Sequence, residues 1–156
     1  MEKAEKDIRA AIIGSTGAIG KELIRQLVAN PAYKEIVVLA RRTIDEWKEP
    51  PVSERIRVIE LPSFDNLAEL KGELQGFDVF FCALGSRVGR GKEEFVKVDK
   101  TYPIEYARLA LECEVPNYSL VSSIGASKSS WFLYMKTKGE AEDEISKIGL
   151  KHVTIC

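Results

Sequence analysis

The sequence predicts a doubly wound α/β fold built on a parallel sheet of about six strands. Two observations carry this prediction. Short apolar runs recur along the chain, rich in β-branched residues and apolar at successive positions, as strands buried on both faces require. Between them lie longer segments whose apolar residues return at helical spacing, so strand and helix alternate. A third observation, glycines clustered where the first strand meets the first helix, points to the strand order 3-2-1-4-5-6.

The first strand is Ile8 with Ala10 to Ile13, too short for a helix. After Gly14, Gly17 and Gly20, a helix carries Leu23, Ile24, Leu27 and Val28 on one face. Lys21, Glu22, Arg25 and Gln26 lie on the other face, and Asn30-Pro31 closes the segment. Glu35–Ala40 reads as the second strand. A polar loop with Pro50-Pro51 leads to the third, Ile56–Leu61. Asp65-Asn66 can cap a short helix over Leu67, Leu70 and Leu74, ended near Gly76. Asp78–Leu84 is a fourth strand. A loop with Gly85, Gly89 and Gly91 precedes a helix near Asp99 to Cys113, with Pro103 in its first turn, where a missing N–H is tolerated. Asn117–Val121, Ser130–Ile148 and His152–Cys156 complete the pattern as strand, helix and sixth strand. No repeat, low-complexity tract or linker divides residues 1–156, which read as one domain.

Composition narrows the possibilities. The 156 residues are 45% hydrophobic, enough for a proper core, and the net charge of −1 offers no electrostatic case for nucleic acid or an anionic membrane. No apolar run approaches a membrane span, and the charged start MEKAEKDIR is not a signal peptide. Cys82, Cys113 and Cys156 are odd in number and far apart, so they read as reduced thiols of a cytoplasmic or nuclear protein. His152, the single histidine, reads as a strand-edge side chain rather than a metal ligand.

Strand, glycine turn and helix together make a phosphate-binding arrangement. Gly14 permits the turn, Gly17 lets the backbone approach a diphosphate, and Gly20 brings helix and sheet close. The helix's unpaired N–H groups then face the anion. The spacing departs from G-x-G-x-x-G: aligned on Gly17 and Gly20, Ser15 occupies the first glycine's place and Gly14 precedes it. Such a triplet is weak evidence alone and gains weight from residues further along the chain. Arg41 and Arg42 come directly after the second strand, where a preference for NAD would place Asp or Glu. Two guanidinium groups there suit a 2′-phosphate and so NADP(H). Leu84 and Gly85 end the fourth strand, where backbone can lie against the ribose and nicotinamide side of the cofactor. Asp65 either meets the adenine or merely caps the next helix.

Ser122-Ser123 come after the fifth strand, and Tyr134 and Lys138 stand one helical turn apart. A tyrosine of ordinary pKa near 10 is a poor acid or base at neutral pH unless its phenolate is stabilised. A lysine one turn away can do this and also bond the nicotinamide ribose, while a serine hydroxyl orients a substrate carbonyl.

At these residues the chain resembles an atypical short-chain dehydrogenase/reductase, and within that class the Tat-interacting-protein oxidoreductase group. The matching segments are GSTGAIG (Gly14–Gly20), LARR (Leu39–Arg42), FCALGSRVGRGKEEFVKVD (Phe81–Asp99) and LVSSIGASKSSWFLYMKTKGEAE (Leu120–Glu142). The resemblance implies a Rossmann fold with NADP(H) held by Gly14, Thr16, Gly17, Ala18, Ile19, Arg41, Arg42, Leu84 and Gly85, together with Tyr134 and Lys138. It implies catalysis by Tyr134, Lys138 and Ser123, with Ser122 as the alternative serine. It supports two readings: an NADPH-dependent oxidoreductase acting on a carbonyl or alcohol, or a regulatory NADPH-binding protein that binds protein partners without turnover. Members of the group continue past the last strand with an R-P-G segment and a substrate-side region. The chain stops at Cys156, in or just after an apolar strand, and so reads as a truncated form without that region.

Overall fold

The structure, a computed structural model, describes residues 7–86, 91–123 and 125–156. Gly89 and residues 1–6 of the charged start lie outside these. Six strands form one parallel sheet: β1 (Ile8–Ile13), β2 (Tyr33–Ala40), β3 (Ile56–Glu60), β4 (Val79–Cys82), β5 (Asn117–Leu120) and β6 (His152–Ile155). Their order is β3-β2-β1-β4-β5-β6, the order predicted. Every pairing is parallel, and Ile13 is level with both Leu39 and Cys82, so β1, β2 and β4 end at one height.

The unbroken apolar runs have a direct cause. Successive side chains of a strand point to opposite faces, and each face here has its own core. Ala11, Ile13, Val37, Leu39, Phe80 and Cys82 pack on one side with Tyr106, Leu109 and Ile145. Ile12, Ile36, Val38 and Ala40 pack on the other with Ile24, Leu27 and Trp47. Helix α1 (Ala18–Ala29) covers the second face, burying Gly20, Ile24 and Leu27. Helix α5 (Tyr102–Glu112) covers the first and brings in Tyr106, whose ring stacks on Phe80 at 4.6 Å. β6 is an edge strand, and His152 stands exposed on it.

Several boundaries differ from expectation: strand ends move by at most two residues, β4 being Val79–Cys82 rather than Asp78–Leu84, and the helical segments move further. The loop after β2 is not wholly irregular. It carries a 3₁₀ turn (Asp45–Trp47) and a short helix α2 (Val52–Arg55), because Trp47 is only 4% exposed and roofs the α1 face. The helix expected near Asp99 starts seven residues earlier. It runs as α4 (Lys92–Val96), a π turn (Lys97–Thr101) and then α5, so Pro103 lies inside a continuous helical run. Proline has no N–H to return to the carbonyl four residues back and its ring crowds that carbonyl, so the preceding turn is widened. The Tyr102 N–H accordingly bonds the Lys97 carbonyl, five residues back. Finally, the last helix is α6 (Leu133–Ser146), shorter at both ends than Ser130–Ile148. The short helix after β3 is a 3₁₀ turn (Leu67–Leu70) running into α3 (Lys71–Leu74), with no side-chain cap from Asn66. Among the described residues, no helix is long and apolar enough to cross a membrane.

Candidate functional site

Strand order reverses between β1 and β4, and loops leaving neighbouring strands in opposite directions open a crevice there. A groove of about 600 Å³ lies at this place, lined by Gly14, Thr16, Gly17, Arg41, Leu84 and Gly85 of the predicted set. Its remaining wall is Pro62, Ser63 and Phe64 after β3, Ala83 and Ser86 after β4, and Glu93, Glu94, Lys97, Val98 and Tyr102 from the α4–α5 run.

The glycines divide the work between them. Gly14 has φ +84°, and a Cβ there would lie 2.4 Å from the backbone of Ala83 and Leu84, so only glycine lets β1 and β4 turn side by side. A Cβ at Gly20 would lie 2.2 Å from the Gly14 carbonyl oxygen, so this glycine seats α1 on the turn. A Cβ at Gly17 would meet nothing within 4 Å, yet Gly17 lines the groove. Gly17 also precedes α1, whose first turn has no acidic residue and no side-chain cap. Its leading N–H groups and positive dipole end are thus available to an anion. A cradle open at Gly17 and uncapped amides fit a dinucleotide diphosphate, and the Arg41 guanidinium stands elsewhere on the lining of the same groove.

Other predicted residues fall elsewhere. Ala18 and Ile19 open α1 outside the groove lining, with Ile19 57% exposed, and Arg42 is exposed and also outside it. Asp65 caps no helix, contrary to one expectation, and does not line the groove, where Ser63 and Phe64 stand instead. Its carboxylate accepts the Tyr102 hydroxyl at 2.9 Å and pairs with Lys97 at 2.9 Å, which holds it below the usual carboxylate range.

Tyr134 and Lys138 share one face of α6, with the Lys138 ammonium 5.7 Å from the tyrosine ring centre and the ring stacked on Phe95 at 5.6 Å. They do not line the groove itself, but Lys138 Nζ is 4.0 Å from where a Cβ of Gly85, which does line it, would stand. The loop after β5 is tied to α6 by the Ser127 N–H on the Met135 carbonyl, 3.0 Å. In that loop Ser123 Oγ is 4.0 Å from the Met135 sulfur, and Ser122 Oγ is buried without a hydrogen-bond partner.

Sequence reasoning missed Asp99. Its carboxylate lies 2.7 Å from Lys138 Nζ, with the two side chains 0% and 8% exposed, and its second oxygen accepts the Ser86 N–H at 2.9 Å. Burial pushes this carboxyl up, opposed by the Lys138 ammonium and the Ser86 N–H. A signal was present: Phe95, Asp99, Tyr102 and Tyr106 follow helical spacing and all are buried, so a charge stands on an apolar stripe. Near by, burial pushes the Cys82 thiol up to about 11, the condition of an unreactive structural cysteine.

Fold, groove and glycine turn define a dinucleotide-binding α/β protein of the Rossmann kind. The chain belongs to the NAD(P)H-binding family whose model matches residues 14–156, and it is an atypical member of the short-chain dehydrogenase/reductase superfamily. It is 39% identical over 149 residues to the mitochondrial protein FMP52 of Candida albicans, covering 92% of this chain and 63% of that protein. It is 32% identical over 145 residues to the protein HTATIP2 of Rattus norvegicus, covering 92% of this chain and 59% of that one. The chain thus spans about three fifths of the length of these relatives. In fold it is similar to DesIV of Streptomyces venezuelae, a dTDP-glucose 4,6-dehydratase solved with NAD bound. There the TM-score is 0.76 and the identity 23%, over 96% of this chain and 55% of that one.

These findings correct one expectation. Free cysteines pointed to the cytoplasm or nucleus, but FMP52 relatives from several fungi are named mitochondrial. Thiol usage separates oxidising from reducing compartments and does not choose among the reducing ones.

Proposed function

We propose that this protein is an NADPH-dependent oxidoreductase acting on a carbonyl or alcohol substrate. The observation that supports it most is the Lys138 ammonium beside Tyr134 and next to Gly85, which lines one groove with Gly14, Gly17 and Arg41. When bound, the reduced nicotinamide supplies a hydride to the carbonyl carbon. Tyr134 gives its phenolic proton to the carbonyl oxygen, and the positive charge of Lys138 favours the phenolate left behind. A hydroxyl after β5, Ser123 or Ser122, orients that oxygen. The Arg41 guanidinium in the groove favours a cofactor bearing a 2′-phosphate. The reading is tested by incubating the protein with a panel of aldehydes and ketones and following NADPH consumption, with NADH and Tyr134→Phe in parallel. No NADPH-dependent reduction across the panel, or a Tyr134→Phe protein as active as the parent, would remove it.

A second reading, an NADPH-binding protein that engages a protein partner without turnover, is favoured by the surface next to Tyr134. Trp131 is 100% exposed and Phe132 is 76% exposed, an apolar pair of the kind found at contact sites. Under this reading Tyr134→Phe is silent in every redox assay, while Trp131→Ser/Phe132→Ser weakens partner binding.

A further inference from the structure

Two aromatic side chains stand in water beside the residue proposed to deliver the proton. Trp131 is fully exposed and Phe132 largely so, three and two positions before Tyr134. A helix that joins two parallel neighbouring strands starts at the end of the sheet where the first strand finishes, so α6 opens at the C-terminal end of β5. The two rings thus stand at the same end of the sheet as the groove, which is lined by residues that follow β1 and β4. The backbone that carries them is fixed. The Phe132 N–H donates to Ser130 Oγ at 3.2 Å, and the Ser127 N–H to the Met135 carbonyl at 3.0 Å.

The charges around this segment point one way. From Ser129 to Met135 there is no charged side chain. Lys128 is engaged by Asp143 at 3.4 Å, and Lys136 lies on the other side of α6 from Tyr134. The Tyr134 ring stacks on Phe95 at 5.6 Å, and the two residues before Phe95, Glu93 and Glu94, line the groove. A phosphate or carboxylate on the substrate would meet two carboxylates from α4 and no cation from Ser129 to Met135. An apolar tail would meet two aromatic rings.

We propose that the substrate is an uncharged aldehyde or ketone with an alkyl or aryl tail of several carbons, and that Trp131 and Phe132 seat that tail. The inference rests on the oxidoreductase reading, to which it adds the class of molecule reduced. The carbonyl carbon takes the hydride, the oxygen takes the Tyr134 proton, and the product is the alcohol. Each CH₂ of the tail that leaves water against the rings favours binding. Aromatic side chains offer such contact at low entropic cost, because few torsions are frozen.

The test is a chain-length series, propanal through nonanal, with NADPH, beside glyoxylate and glyceraldehyde 3-phosphate. Over the first few members kcat/KM should rise about three- to fourfold per added CH₂. Both charged aldehydes should fall well below the long alkanals. In Trp131→Ser/Phe132→Ser the rise should flatten, chiefly through KM. Leu111→Ser, which removes an exposed apolar side chain near the end of α5, should keep it. Binding has its own readout, because Trp47 is buried and Trp131 open, so fluorescence that acrylamide quenches belongs to Trp131. Without cofactor 1-nonanol cannot react, and it should shield Trp131 where 1-propanol at the same concentration does not. A kcat/KM indifferent to chain length, a preference for the charged aldehydes, or a slope that survives the double substitution would overturn the proposal. If no aldehyde consumes NADPH while 1-nonanol still shields Trp131, the oxidoreductase reading falls and the apolar binding site stands. If 1-nonanol leaves Trp131 open to acrylamide, the seat falls whatever the turnover.

Discussion

Arg41 and Arg42 are neighbours in sequence but not in circumstance, because only Arg41 lines the groove. Arg41→Ala should weaken NADPH binding by about 1.5–3 kcal/mol for each charged hydrogen bond lost, roughly ten- to hundredfold, and leave NADH nearly unchanged. Arg42→Ala should do little to either. Titration of both cofactors against both variants checks this, and equal losses for NADPH and NADH would remove the 2′-phosphate assignment. Tyr134→Phe should reduce turnover by roughly 10²–10⁴-fold with NADPH affinity almost unmoved, as expected for a proton donor that meets substrate rather than cofactor. Lys138→Met strands the Asp99 carboxylate in the interior, which should cost about 3–5 kcal/mol. The cost should depend on pH in a definite sense. Burial already holds the Asp99 carboxyl above its ordinary range, so the folded chain keeps a proton that the unfolded chain releases. That contribution favours folding at low pH and is lost as pH rises through the raised value. Without Lys138 to oppose burial the effect grows. Urea midpoints should therefore show Lys138→Met closer to the parent at pH 5 than at pH 8.

At the scale of elements, the β1–α1 junction separates folding from binding within one motif. Gly14→Ala meets the Ala83–Leu84 backbone at 2.4 Å with a positive φ, so it should lose stability first, by at least about 1–3 kcal/mol. Gly17→Ala meets no protein atom within 4 Å and should fold like the parent while binding NADPH poorly. A Gly17→Ala protein with normal NADPH affinity would show that the turn is not the phosphate site. These elements are largely readable from sequence because their signals are local: a β-branched run, a glycine, a 3.6-residue period. The α4–α5 run is not. Pro103 read locally is a helix start, whereas in the folded chain the packing of Phe95 and Asp99 carries the helix back to Lys92 and a π turn absorbs the missing donor. Trp47 escapes a local reading for a similar reason: within a polar loop nothing marks one aromatic as a roof over α1.

For the whole molecule, a ligand that binds only the folded state stabilises it. NADPH at a hundred times its dissociation constant should add about 2.7 kcal/mol and raise Tm by about 5–10 °C for a chain of this size. NADH at the same concentration should raise Tm less, and equal shifts would point to a cofactor site indifferent to the 2′-phosphate. The sequence alone determined the alternation of strands and helices, the strand order and the glycine turn, because each comes from residue patterns within about twenty positions and from the handedness of the chain. It also named Gly14, Thr16, Gly17, Arg41, Leu84 and Gly85, which the fold gathers round one groove. Only the tertiary structure decided that Arg42 stands apart from that groove, that Asp65 is held by Lys97 and Tyr102, and that Lys138 is held by Asp99, thirty-nine residues away. The physical reason is that a buried charge must find its partner across elements. Which carboxylate meets which ammonium is settled by how helices pack on the sheet, and no period in the chain encodes it.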